Sequence, residues 1–124
     1  MERKIIIAID FDGTIVSHKF PRIGDLMLNA RKVINKLYNQ GFYIIIWTCR
    51  GEKSLCEMID FLSDAKILYH KINENAPYEM IKFKPAPKIY YDILIDDRNI
   101  GGFVGWEYVY KILAAEYNLE KWNT

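Results

Sequence analysis

Two runs of apolar, largely β-branched residues constrain the fold of this chain more than any other feature: Ile5-Ile6-Ile7-Ala8-Ile9 and Phe42-Tyr43-Ile44-Ile45-Ile46-Trp47. Neither alternates polar with apolar residues, so neither leaves a face for water. Strands of this kind belong to parallel sheets covered on both sides. Between them Met27, Ala30, Ile34, Leu37 and Tyr38 recur at helical spacing, and Gly41 stands where that helix would stop. Leu55, Met58, Ile59 and Leu62 predict a second helix, and Trp106, Val109, Leu113 and Tyr117 a third. Tyr91-Asp92-Ile93-Leu94-Ile95 reads as a further buried strand and Ile67-Leu68-Tyr69 as a weaker one, while 73–87 reads as a connection. The alternation predicts an α/β fold of three layers, Rossmann-like, with a mostly parallel sheet of about four strands and helices on both faces.

At 124 residues the chain accommodates one domain, 1–124, and no second core. The net charge of +1 gives no general argument for nucleic-acid or membrane binding. Cys49 and Cys56 are too few for a disulfide framework in a chain with this apolar content, which fits a reducing, cytoplasmic setting. The first apolar run is short and ends in Asp10, so neither a secretory signal nor a membrane span is expected.

The three strong strands run into polar residues: Asp10-Phe11-Asp12-Gly13-Thr14, Thr48-Cys49-Arg50-Gly51 and Asp96-Asp97-Arg98. In an open parallel sheet the carboxyl ends of the strands form the ligand crevice, so these three segments should meet. Asp10 and Asp12 lie two apart, and extended backbone sends both the same way with Phe11 opposite. Gly13 allows a sharp turn just beyond them. Adding Asp96 and Asp97 places four carboxylates in one region. Such a group either takes up protons or is neutralised by a cation. With oxygen ligands and no cysteine or histidine cluster, that cation is expected to be Mg²⁺. A lone Asp after a strand usually caps a helix or opens a turn, but capping does not account for three strands converging on acidic or hydroxyl ends.

On these residues the chain resembles the haloacid dehalogenase-like hydrolases. Asp10-Phe11-Asp12-Gly13-Thr14 matches their DxDGT motif, Thr48 their strand-ending Ser or Thr, and Asp96-Asp97 their later acidic pair. The resemblance implies a Mg²⁺-dependent phosphatase that hydrolyses phosphomonoesters. It makes Asp10 the nucleophile that forms an aspartyl-phosphate and Asp12 the general acid and base. Asp10, the Asp12 carbonyl, Asp96 and Asp97 would hold the metal, and Thr48 would donate to a phosphoryl oxygen. For the family's lysine, Lys88 is favoured over Lys84, because the few residues between Lys84-Pro85-Ala86-Pro87 and the last strand leave no room for a helix. The intervals after the first motif and after the second helix are too short for the cap domain of most relatives. The Asp96-Asp97-Arg98-Asn99-Ile100-Gly101-Gly102 segment is similar to short capless members.

Gly13, Thr48, Cys49 and Arg50 are the residues expected on the substrate side. For Arg50 two roles stay open: holding a substrate anion, or pairing with Asp96 or Asp97. Arg98 is expected to brace the loop after the acidic pair, and both cysteines to be packing residues. His18 and Arg22 lie in a 14–24 flap within reach of a substrate, although a lone loop histidine is more often a bystander. The tyrosines and tryptophans fall mostly at core-facing spacing, which predicts no base-stacking surface. The expected partner is a phosphorylated small molecule or nucleotide. A nucleic-acid end or an inactive binding module are the alternatives, and a homo-oligomer is allowed.

Overall fold

The computed structural model describes residues 4–77, 80–81 and 86–123. Its elements are β1 (Ile6–Asp10), α1 (Ala30–Asn39), β2 (Tyr43–Trp47), α2 (Glu52–Asp64), β3 (Lys71–Ile72), β4 (Ile93–Ile95) and α3 (Trp106–Tyr117). The four strands form one all-parallel sheet in the order β3-β2-β1-β4. From β1 the chain winds outward through β2 to β3, then returns to place β4 on the other side of β1. That reversal opens a crevice beyond the carboxyl ends of the central strands.

The apolar runs become the middle of the sheet, and their alternate residues feed two cores. Ile7, Ile9, Ile44 and Ile46 point into one, with Ala30, Val33, Ile34 and Leu37 of α1, Met58 and Leu62 of α2, and Trp106, Val109, Tyr110 and Leu113 of α3. Ile6, Ala8, Tyr43 and Ile45 point into the other, covered by Ala76, Met80, Ile81 and Ile89 from the chain between β3 and β4. The sheet thus lies between two covering layers, but where the sequence predicts helices on both faces, α1, α2 and α3 all cover one, and the chain between β3 and β4 covers the other. No cap domain is present among the described residues. No helix of the described residues is long and apolar enough to cross a membrane.

The weak strand expected at Ile67–Tyr69 forms instead at Lys71–Ile72. Ile67 is buried in the helix-side core, and the pairing to β2 begins only where the His70 N–H donates to the Ile44 carbonyl at 2.8 Å and the Asn73 N–H to Ile46 at 3.0 Å. Core burial outcompetes local β-propensity at this sheet edge.

Candidate active site

The register of the sheet aligns Asp10 with Trp47 and Ile9 with Ile95, so the three polar strand ends lie side by side. Phe11 turns into the core, while Asp10 and Asp12 line a cavity of about 540 Å³, as the two-residue alternation requires. Thr48, Cys49, Arg50 and Asp96 line the same cavity. Gly13, expected on the substrate side, and Asp97 are not among the residues that line it.

Asp10, Asp96 and Asp97 each present a carboxylate oxygen within 4.8 Å of the others. The buried Thr14 hydroxyl donates to Asp10 Oδ2 at 3.0 Å, and the Arg98 N–H donates to Asp96 Oδ1 at 2.9 Å. Burial, the Asp96 charge and the adjoining Asp97 carboxylate push Asp10 up to about 7, against the opposing Thr14 bond. Gly13, at φ +90°, lies beneath this cluster: a Cβ there would come within 2.0 Å of Asp97 Oδ2. The glycine therefore makes room for a carboxylate as well as turning the chain. A crowded all-oxygen donor set of this kind fits a hard divalent cation such as Mg²⁺.

Asp12 stands apart from the cluster. Its Oδ2 and Oδ1 accept from Arg50 Nε at 2.8 Å and Nη2 at 2.7 Å, a bidentate pair in which the Arg50 side chain has no solvent exposure. The remaining guanidinium N–H groups donate to the carbonyls of Pro21 (3.1 Å), Ser54 (3.2 Å) and Arg22 (3.0 Å). With all five N–H groups engaged, Arg50 has no donor left for a substrate anion. Both sequence readings of Arg50 are thereby corrected: it pairs with Asp12 rather than Asp96 or Asp97, and it holds protein carbonyls rather than a ligand. Sequence spacing carries no signal of this, because the carbonyls belong to a flap whose path is set by tertiary contacts.

That flap is a built element. The Ser17 N–H donates to Asp25, Asp25 N–H to Ser17 Oγ and Met27 N–H to Ile15, closing its base. Gly24 is required there, since a Cβ would lie 1.9 Å from the Ser17 carbonyl oxygen. Arg50 then fixes its far turn and packs its guanidinium 5.3 Å and 5.1 Å from the Phe11 and Phe20 ring centroids.

Thr48 is held by Asn73, which accepts from its N–H and donates to its carbonyl, both at 2.8 Å. Thr48 Oγ1 accepts the Arg50 N–H at 3.1 Å, which leaves the hydroxyl proton for a ligand in the cavity. Asn73 was missed in the sequence because it lies at the end of a two-residue strand. Lys88 is exposed, with Nζ 5.2 Å from the Tyr91 ring centroid, and does not line the cavity. Lys84 lies outside the described residues. Arg98, expected as a brace, lines the cavity itself, as do His18, Phe20 and Trp47. Cys49 and Cys56 are free and exposed, so neither is the packing residue expected of it.

No protein-family model and no curated protein matches the chain. Among solved structures it is similar to a conserved protein from Bacteroides thetaiotaomicron, at 32% sequence identity and a TM-score of 0.81, with 92% of this chain and 93% of that one covered.

Proposed function

The chain belongs to the same family as that conserved Bacteroides thetaiotaomicron protein, and from the chemistry of its own site we propose that it is a Mg²⁺-dependent phosphatase of the haloacid dehalogenase-like type, acting on phosphomonoesters. The single observation that carries this reading is the carboxylate cluster of Asp10, Asp96 and Asp97, two of whose members, Asp10 and Asp96, line one cavity with Thr48 at the ends of parallel strands. A structural ion cluster has no need of an adjoining hydroxyl donor and a ligand-sized cavity.

In this reading an Asp10 carboxylate oxygen attacks phosphorus, forming an aspartyl-phosphate as the bond to the leaving oxygen breaks. Asp12 acts here in its protonated form, with one oxygen still held by Arg50: it hands that proton to the leaving oxygen, then takes one from the water that cleaves the aspartyl-phosphate and releases inorganic phosphate. Thr14 orients Asp10, and Arg50 orients Asp12. The Thr48 hydroxyl donates to a non-bridging phosphoryl oxygen. Asp10, Asp96 and Asp97 would hold Mg²⁺, which supplies positive charge against the phosphoryl oxygens. The open site needs no cap to admit substrate.

The test is hydrolysis of p-nitrophenyl phosphate with and without Mg²⁺. Wild type should be active only with the metal, and Asp10→Asn should lose on the order of a thousandfold or more, as removal of a nucleophile does. Equal rates for wild type and Asp10→Asn, or no hydrolysis across a broad phosphate panel, would overturn the proposal.

A further inference from the structure

The phosphatase reading leaves two aromatic residues of the cavity lining, Phe20 and Trp47, without a role. Trp47, the register partner of Asp10, closes one side next to Thr48. Phe20 stands on the flap, 51% exposed although it lines the same cavity, and His18 lies close to it in the chain. The acids and the hydroxyl of the phosphatase reading, Asp10, Asp12, Asp96 and Thr48, line the same cavity, as do the polar side chains of His18, Asn73 and Arg98. A ligand that meets both the acids and the two rings therefore carries a phosphoryl group and a flat, weakly hydrated group.

Phe20 is also held in place. Arg50 accounts for the carbonyls of the next two residues, Pro21 and Arg22, and its guanidinium lies 5.1 Å from the Phe20 ring centroid. An exposed ring on a freely moving loop would carry no selectivity, since ordering it on binding would offset the contact. A ring fixed from behind by a buried ion pair is preorganised. The volume of about 540 Å³ falls in the range of small-ligand sites and suits a phosphoryl group plus one or two fused rings.

Building on the phosphatase reading, we infer that the site selects phosphomonoesters bearing a planar unsaturated ring, such as a nucleobase or an aryl group, with Phe20 and Trp47 as the specificity-determining residues. A bare sugar phosphate has no planar apolar face to set against Phe20 and Trp47 and forgoes that contact.

Nucleoside 5′-monophosphates and ribose 5-phosphate share the same primary leaving oxygen and differ by the base, so their ratio of kcat/KM isolates ring recognition from leaving-group chemistry. Benzyl phosphate against ethyl phosphate makes the same comparison without ribose and separates nucleobase from aryl recognition. The ring-bearing member should be favoured at least tenfold in one pair or both, about the discrimination one aromatic contact supplies. Phe20→Ala and Trp47→Ala should each reduce that ratio severalfold, and Phe20→Tyr should retain it. Ratios near one in both pairs for wild type, or a preference unchanged in both alanine variants, would overturn the inference while leaving the phosphatase reading standing. Should the wild type hydrolyse none of these esters, calorimetric binding of the same pairs still decides it: equal affinities would refute ring selection.

Discussion

At Gly13 φ is positive, and the Asp97 carboxylate occupies the space a side chain would fill. Gly13→Ala should therefore cost about 1–3 kcal/mol from backbone strain alone, measured by urea unfolding, and should weaken any cation-dependent stabilisation by displacing Asp97. Unchanged stability and an unchanged Mg²⁺ response would refute the packing argument. His70 makes a different prediction. Its ring is stacked between Tyr38 (4.4 Å) and Tyr43 (4.3 Å), and Nδ1 accepts the Ile44 N–H at 3.0 Å. Burial and, secondarily, the Lys4 charge lower its pKa below the usual histidine value. The unfolded chain then binds the proton more readily, so this contribution to stability is complete above about pH 6.5 and is lost as pH falls through the folded value. Urea midpoints at pH 7.5 and pH 5.5 should fall more for wild type than for His70→Asn, and parallel losses would show that His70 is not the titrating group. DxDGT exposed the nucleophile candidate to sequence reading, whereas nothing in the sequence around His70 announces its stacking partners, which arrive from α1 and β2.

Among the elements, the flap has the most to lose from one substitution. Arg50 ties its turn to Asp12 and to the first turn of α2 through Ser54, so removing the guanidinium frees three carbonyls and leaves Asp12 without its partner. Arg50→Gln should cost about 3–5 kcal/mol, the usual effect of breaking a buried pair. Arg50→Lys should recover part of it, because an ammonium restores charge but not the planar fork. Trypsin offers a local readout: cleavage after Lys19 or Arg22 should accelerate in both variants under conditions where circular dichroism shows them folded. Nicking at the wild-type rate would mean that other contacts hold the turn. The type of residue at position 50 was legible as chemically loaded. Its partner was not, since a loop's path back over the sheet depends on the Ile15–Met27 ladder rather than on spacing. β3 shows the same limit: two residues at a sheet edge carry too little pattern to be located before the core decides where Ile67 goes.

Across the whole molecule, the carboxylate cluster couples cation binding to stability. A ligand that binds only the folded state at 100 times its Kd stabilises by about 2.7 kcal/mol, which for a domain of this size raises Tm by several degrees. Mg²⁺ should produce such a shift, reversed by EDTA. Asp97→Asn should abolish it while raising the Tm of the metal-free protein, because one of three mutually repelling charges is gone. A Mg²⁺ shift that persists in Asp97→Asn would place the cation elsewhere. The sequence by itself determined the parallel α/β class, the helix of Trp106–Tyr117 and the carboxyl-end positions of Asp10, Thr48, Asp96 and Asp97, because long buried runs and residue order are local properties of the chain. Tertiary structure alone decided which acid joins the cluster and which is held by Arg50, and that Phe20 and Trp47 face the cavity. Side chains from distant segments compete for the same donors and the same space, and that competition is resolved only when the flap closes on the sheet. Asp10 is therefore the same residue in both readings, but its surroundings became visible only in the fold.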